Sequence, residues 1–152
     1  MGNYINTPYW CICQATLWAN FLFLETGSMP TCPPAFGYKF QELDVYKISL
    51  DYLDQVYGLA SLLPESERFN LKNQLERSAT SIVLNIAEGS TVLSDVEQKR
   101  FLSVASRSYL ETVACLDIML KRKYVQDHQM QNVREMGHRL FVKLQAFKKA
   151  LR

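Results

Sequence analysis

The stretch SIVLNIAEGST, residues 81–91, decides the fold, because it combines an apolar helical run, two polar interruptions and a glycine. Its aliphatic residues are those of a helix packed against a core. Asn85 and Glu88 interrupt the run three positions apart, and Gly89 follows at once. We expect Gly89 to take the left-handed conformation that commonly ends a helix. The amide and the carboxylate need a separate explanation.

Helical periodicity extends in both directions from this stretch, and no alternating β-type pattern competes with it. Pro64 separates the first two helices, and Ser94 with Glu97 forms a capping box that predicts the start of the third. Four long helices with short loops favour an all-α fold, an antiparallel up-down four-helix bundle. The predicted helices cover residues 41–62, 65–88, 95–123 and 127–152.

The first predicted helix has two apolar stripes, whereas a surface helix needs only one. One stripe contains Leu50 and Tyr57, and the neighbouring stripe contains Tyr52 and Val56. The second stripe is explained either by burial within the bundle or by burial against another subunit. The extra tyrosines favour the subunit interface, and we therefore expect a homo-oligomer.

The polar residues of the opening stretch share a helical face with Ser81 and Arg77, because their spacing is 4-4-3. Counting back from the turn near residues 91–92 places this face opposite the third helix. Glu88 should then reach Lys99 or Arg100. We interpret the face mainly as a structural hydrogen-bonded network, with a binding surface at the hairpin as the alternative. The network consists of Arg77, Ser81, Asn85, Glu88, Ser108 and Glu111.

Charge is divided unevenly along the chain. Residues 1–93 contain five Lys/Arg against nine Asp/Glu, while residues 94–152 contain twelve against six. A basic half can bind a polyanion, and an ordinary solvated helix face is the equally acceptable alternative. The candidate nucleic-acid contacts are Lys121, Arg122, Lys123, Arg139, Lys143, Lys148 and Lys149.

Residues 1–39 differ in composition from residues 40–152 and form a predicted extension that is rich in aromatics and cysteines and ends in a Pro/Gly linker. Its apolar segment lacks a preceding basic residue and is interrupted by polar residues, so neither a signal peptide nor a membrane span is expected. Cys11 and Cys13 lack zinc-pair spacing, and we expect no metal. Free thiols favour a cytoplasmic protein without disulfides.

Several motifs resemble a family of bacterial four-helix-bundle proteins, which includes proteins encoded within intervening sequences of large-subunit rRNA genes. The motif R-S-A-x-S-I-x-x-N-I-A-E-G (77–89) and the downstream S-x-x-E (108–111) are the most specific. The resemblance covers about residues 40–125. The other motifs are F-x-E-L-D-V-Y (40–46), L-P-E-S-E-R-F-N-L-x-x-Q (63–74) and S-D-x-E-x-x-R-F-L (94–102).

The resemblance implies a bundle assembled as a ring-like homopentamer without catalytic activity. A related branch consists of the accessory proteins of diversity-generating retroelements, which bind a reverse transcriptase and nucleic acid through a basic surface. The family pattern has a glycine, an aromatic and a basic residue after A-E-G, whereas this chain has Ser90, Thr91 and Val92. If that basic residue binds nucleic acid in relatives, this chain has no equivalent for it.

An enzyme is not expected, because the sequence has no Gly-rich phosphate loop, nucleophile elbow or histidine pair at metal spacing. No cofactor is expected either. The favoured function is a non-enzymatic oligomer that binds structured RNA or DNA through its basic surface. The alternative is a protein-interaction scaffold that docks a larger partner such as a reverse transcriptase.

Overall fold

The computed structural model describes residues 37–151, which form four α-helices and contain no strand. Contacts at both ends of the first and fourth helices show that these two run antiparallel: Asp44 pairs with Lys143, and Gln55 accepts a hydrogen bond from Asn132. We number the helices α1 (Asp44–Ala60), α2 (Asn73–Gly89), α3 (Asp95–Lys121) and α4 (Asp127–Ala150).

The connection between α1 and α2 differs most from the sequence prediction. Residues expected to open the second helix form a 3-10 turn, Glu65–Glu67, and a π-helical turn, Arg68–Lys72. The α-helix proper begins only at Asn73. Glu67 stabilises the irregular segment, since its carboxylate accepts the Leu71 N–H at 3.4 Å. The periodic pattern indicates a helix here, but it does not distinguish π from α.

The core is built from one stripe of each helix. On α1 the buried stripe contains Val45, Tyr52 and Val56, whereas Leu50 and Tyr57 on the neighbouring stripe remain exposed. The second apolar stripe of α1 is therefore not fully used within the bundle. On α4, Gly137 admits two aromatic rings that a side chain would displace, because an added Cβ would lie 2.8 Å from Tyr52 Cε2 and 3.0 Å from Tyr109 Cε2.

Gly89 has a different role from the one expected. It is the last residue of α2 and is not in the left-handed region. A Cβ at this position would lie 2.9 Å from the Cβ of Phe101 on α3. The glycine therefore permits the close approach of two helices at their hairpin rather than a reversal of the backbone.

The start of α3 was predicted correctly, but its capping box is absent. Ser94 is the N-cap residue in an extended conformation, and its side chain forms no capping hydrogen bond. Glu97 instead accepts a hydrogen bond from Arg100 Nε at 2.7 Å. The hydrogen bond from Arg100 also holds the pKa of Glu97 below its usual value.

Most of the predicted N-terminal extension, including Cys11, Cys13 and Cys32, lies outside the described residues. At the start of the described residues, the Tyr38 ring stacks on Phe40 at a centroid distance of 5.7 Å. Within residues 37–151, no helix combines the length and the apolarity that a membrane crossing requires.

Candidate functional site

The centre of the α2–α3 contact is a polar seam. The hydroxyl oxygens of Ser81 and Ser108 lie 2.9 Å apart. Asn85 donates its amide to the Ser81 carbonyl oxygen at 2.7 Å and lies 3.2 Å from the Ser81 hydroxyl. The structure thus brings together three residues of the predicted network. The Ser81–Ser108 contact joins the two helices, whereas the Asn85 hydrogen bonds lie within α2 and orient Ser81.

A second part of the seam was missed by the sequence analysis. The Thr112 hydroxyl is fully buried and lies 2.9 Å from the Ser78 hydroxyl. Serine and threonine at these positions also bond to their own helix, with Ser78 donating to the Leu75 carbonyl. The contact of Ser78 with Thr112 across the helices could not be predicted from the sequence pattern, in which such small residues alternate with aliphatic ones.

The outer end of the seam is ionic and exposed. Arg77 Nη2 lies 3.5 Å from Glu111 Oε1, and Gln74 donates its amide to the same carboxylate oxygen. Arg77 also donates to the Gln74 side chain at 3.2 Å. Because both charged side chains are well exposed, this ion pair adds little stability.

Glu88 does not join the network. Its side chain is exposed, and among the described residues it forms no hydrogen bond or ion pair. The expected partner Arg100 binds Glu97 instead. Glu88 lines an open groove of about 460 Å³ on the outer face of α2, together with Arg77, Leu84 and Tyr57. The expectation of a Glu88 contact with Lys99 or Arg100 was therefore wrong.

The seven candidate basic residues do not form one surface. Lys121, Arg122 and Lys123 lie where α3 ends, whereas Lys148 and Lys149 lie at the opposite end of α4, in its last turn. Since a helix rises about 1.5 Å per residue, the 24 residues of α4 separate these groups by roughly 35 Å. The remaining two lie between them on α4: Arg139, and Lys143, which pairs with Asp44 at 3.2 Å.

Two loops meet at one end of the bundle, which we call the basic end: residues 61–72 and residues 121–126. Tyr124 donates its hydroxyl to Glu67 Oε1 at 2.9 Å, joining the loops. The Arg122 guanidinium packs over the Tyr124 ring at 5.8 Å. The hydrogen bond from Tyr124 is the main cause of the lowered pKa of Glu67. Arg122 thus belongs to an internal contact.

The basic end also contains two cations that the sequence analysis did not select, Arg68 and Lys72. Both were assigned to an ordinary helix, although they flank an aromatic residue in the segment RFNLK (68–72). Arg68 pairs with Glu65 at 2.9 Å.

Three lysines at the basic end form no ion pair within residues 37–151. These are Lys72, Lys121 and Lys123. The nearby acids Asp117 and Asp127 both pair with Arg134, at 3.8 and 2.8 Å. These two aspartates are thus already engaged with another cation.

Lys123 has an unusual backbone. Within residues 37–151 it is the one residue other than glycine that has a positive φ, at 61°. The Lys123 and Tyr124 amides donate to the carbonyls of Leu120 and Met119, which is the hydrogen-bonding pattern of a Schellman motif. Glycine usually occupies this position, and a lysine there costs about 1–2 kcal/mol. A strained residue with an unpaired charge is the kind of feature that functional sites retain.

The described residues offer no metal site, because no three His, Cys, Asp or Glu side chains cluster in residues 37–151. Cys115 is a free, buried thiol. Burial, with a smaller contribution from the charge of Glu111, raises its pKa, so the thiolate is disfavoured.

Comparison with known proteins gives a family and a fold. The family model of the 23S rRNA-intervening sequence protein matches residues 41–146. No curated protein matches the chain. Among solved structures, a protein of unknown function from the S23 ribosomal protein family of Bacteroides thetaiotaomicron is similar, with 24% identity and a TM-score of 0.65. The similarity covers 70% of this chain and 99% of that one.

Proposed function

This chain belongs to the 23S rRNA-intervening sequence protein family, and we propose that it is a non-enzymatic, cytoplasmic protein that binds structured nucleic acid as a homo-oligomer. The site is the basic end of the bundle rather than the whole C-terminal half. One observation carries the proposal: two loops place Lys72, Lys121 and Lys123 at one end without intramolecular ion pairs in the described residues. Unpaired cations are available to neutralise phosphates and to release their counterions.

The contact with Tyr124 and Glu67 changes the role assigned to Arg122. Its guanidinium packs on Tyr124, and its pKa is raised chiefly by the Tyr124 hydroxyl. We therefore assign Arg122 to holding the two loops in place, and the neighbouring lysines to the phosphate contacts. Lys148 and Lys149, at the far end, are not part of this site.

Oligomerisation is supported by apolar side chains left exposed on α1 and α2. Leu50 is 41% exposed, Tyr57 43% and Leu84 53%. Tyr57 and Thr80 are linked across the two helices by a hydrogen bond of 3.0 Å, so this face is continuous from α1 to α2. Burial against other copies would remove the apolar surface from water and repeat the basic end around a ring.

The decisive experiment compares two charge changes of equal size at opposite ends of the bundle. Lys121→Gln with Lys123→Asn removes two cations from the basic end, and Lys148→Gln with Lys149→Gln removes two from the far end. Binding of a labelled RNA hairpin is measured by fluorescence anisotropy over a salt series. The first pair should weaken binding and reduce the salt slope by roughly 0.7–0.9 for each phosphate that the protein no longer neutralises.

The far-end pair should leave both affinity and salt slope unchanged. Equal effects of the two pairs would contradict a site at the basic end, and absence of binding would contradict the function itself. Lys123→Gly sharpens the test, since glycine relieves the positive φ. It should raise the melting temperature by stabilising the fold about 1 kcal/mol, while still weakening RNA binding.

The assembly is tested by light scattering of the full chain at micromolar concentration. We expect a multiple of the 17.6 kDa subunit mass, with the pentamer favoured by the family resemblance. Leu84→Asp should shift the distribution toward monomer, whereas Leu93→Asp at the exposed hairpin should not. A monomeric wild-type protein would exclude the oligomer.

We propose further that residues 1–39 are a separate extension, as their composition suggests. A chain shortened to begin at Tyr38 should keep its helical circular dichroism and its cooperative melting. A loss of cooperative melting would show that the extension is part of the folded bundle.

A further inference from the structure

The basic end carries an aromatic ring that is not buried among residues 37–151. Phe69 is 87% exposed and lies between Arg68 and Lys72 on the π-helical turn. The same turn buries Leu71, which is 7% exposed, so the local backbone directs one apolar side chain inward and leaves the other outside. An exposed phenylalanine contributes no burial energy, and short π-helical segments occur frequently at functional sites.

A cation packs against the ring. The Arg68 guanidinium carbon lies 5.2 Å from the Phe69 ring centroid, and Arg68 is itself held by Glu65. Arg122 packs on Tyr124 in the same manner in the adjoining loop. The basic end thus combines aromatic rings, arginines and unpaired lysines, which together suit single-stranded nucleic acid.

From this arrangement, and resting on the proposed nucleic-acid binding, we infer that Phe69 is a stacking platform for an unpaired base of a single-stranded RNA segment. The unpaired lysines contact the phosphate backbone of the RNA on either side of that base, and the Phe69 ring stacks on the flat face of the base. Paired bases within a duplex are already stacked and cannot occupy the ring. The site therefore prefers loops, bulges or strand ends to continuous duplex.

An aromatic face with a guanidinium packed beside it distinguishes Phe69 from another exposed apolar side chain, Leu93. Leu93 is 105% exposed at the hairpin between α2 and α3. It lies close in sequence to Glu88, Asp95 and Glu97, and it has no aromatic face. Leu93 therefore serves as the matched control for apolar exposure without a ring on which a base could stack.

The test uses the full-length protein and two labelled probes, an oligouridine and a blunt RNA duplex of equal length. Phe69→Ala should weaken oligouridine binding roughly tenfold, because one base loses its stacking partner. Duplex binding should change by less than about twofold, since its contacts are made to phosphates. Phe69→Trp should bind oligouridine as the wild type does, because tryptophan also offers a ring for stacking. Leu93→Ala should leave the affinity for both probes unchanged.

Failure of this inference differs from failure of the proposed function. If Lys121→Gln with Lys123→Asn weakens both probes while Phe69→Ala changes neither, the basic end binds nucleic acid without stacking, and the ring serves a protein contact. If neither probe binds the wild type, both proposals fall. Thermal melting of Phe69→Ala should match that of wild type, which excludes unfolding as the cause of weaker binding.

Discussion

Two glutamates lie at opposite ends of the helical segment formed by the π-helical turn and α2, and their side chains differ in their contacts. Glu67, the N-cap residue of the π-helical turn, accepts hydrogen bonds from Tyr124 in a distant loop and from the Leu71 amide. The side chain of Glu88, in the last turn, forms no hydrogen bond or ion pair within residues 37–151. A helix dipole favours a negative charge at its start and disfavours it at its end. The motif N-I-A-E-G suggested that Glu88 has a structural role. Of the two glutamates, however, Glu88 is the one whose side chain forms no hydrogen bond or ion pair within residues 37–151.

Close packing of the helices thus stabilises the fold at the C-terminal end of α2, and polar contacts stabilise it at the N-terminal side. Gly89 permits the close packing, because it has no Cβ to meet Phe101. Glu67, Tyr124 and the Ser78–Thr112 pair provide the polar contacts. Substitutions at these positions test whether packing stabilises one end of α2 and polar contacts stabilise the other.

Gly89→Ala should have the largest effect. The added methyl group would meet the Phe101 Cβ at 2.9 Å, and that atom cannot move without the α3 backbone. We expect a loss of about 1–3 kcal/mol in the free energy of unfolding, measured by urea denaturation. Gly58→Ala is the control, because nothing lies within 4 Å of its Cβ position, and it should stabilise α1 by up to about 1 kcal/mol. Equal effects of the two substitutions would refute close packing at Gly89.

Thr112→Val should have the next largest effect. It removes the buried hydroxyl that lies 2.9 Å from Ser78 and leaves the Ser78 oxygen with its own helix only. The free energy of unfolding should fall by about 1–2 kcal/mol. The double variant with Ser78→Ala should recover part of this loss, because no polar atom is then left without its partner. Strictly additive effects would show that the two hydroxyls do not interact.

Glu67→Gln should destabilise the protein in a pH-dependent way. The Tyr124 hydrogen bond lowers the folded pKa of Glu67 below the ordinary value of 4.5. The stabilisation is therefore complete above pH 4.5 and is lost as the pH falls through the folded pKa. Melting temperatures of wild type and variant should differ at pH 7 and converge at lower pH. A constant difference across that range would exclude the charge as its source.

Glu88→Gln should have the smallest effect and the opposite sign. Removing a negative charge from the last turn of α2 relieves an unfavourable dipole interaction, worth about 0.3–1 kcal/mol at low salt. The melting temperature should stay constant or rise slightly. A clear fall would mean that Glu88 has a structural partner after all, for example in another subunit of the oligomer.

Sequence periodicity predicted the four helices, although α2 begins at Asn73 and not at residue 65. The starts of α3 and α4 were predicted within a residue, although the capping box expected at Ser94 does not form. Ser81 and Ser108 were both assigned to one polar network between the second and third helices, and their hydroxyl oxygens lie 2.9 Å apart. The family was recognised from short motifs of the first three helices, and residues 41–146 match it.

The candidate site could not be assembled in the same way. Lys121 and Lys148 belong to one basic half of the sequence but lie at opposite ends of the bundle, because α4 runs its full length between them. Phe69 and Lys72 come from the acidic half, and only the return of the chain brings their loop beside Tyr124.

The sequence by itself therefore determined the all-α fold, the order of the helices and the surplus of positive charge, since each depends on neighbours within a few turns. Only the tertiary structure decided which charges form ion pairs, why Gly89 is a glycine, and which two loops meet at the basic end. Those properties depend on distances between segments far apart in the chain, and helical periodicity carries no information about such distances.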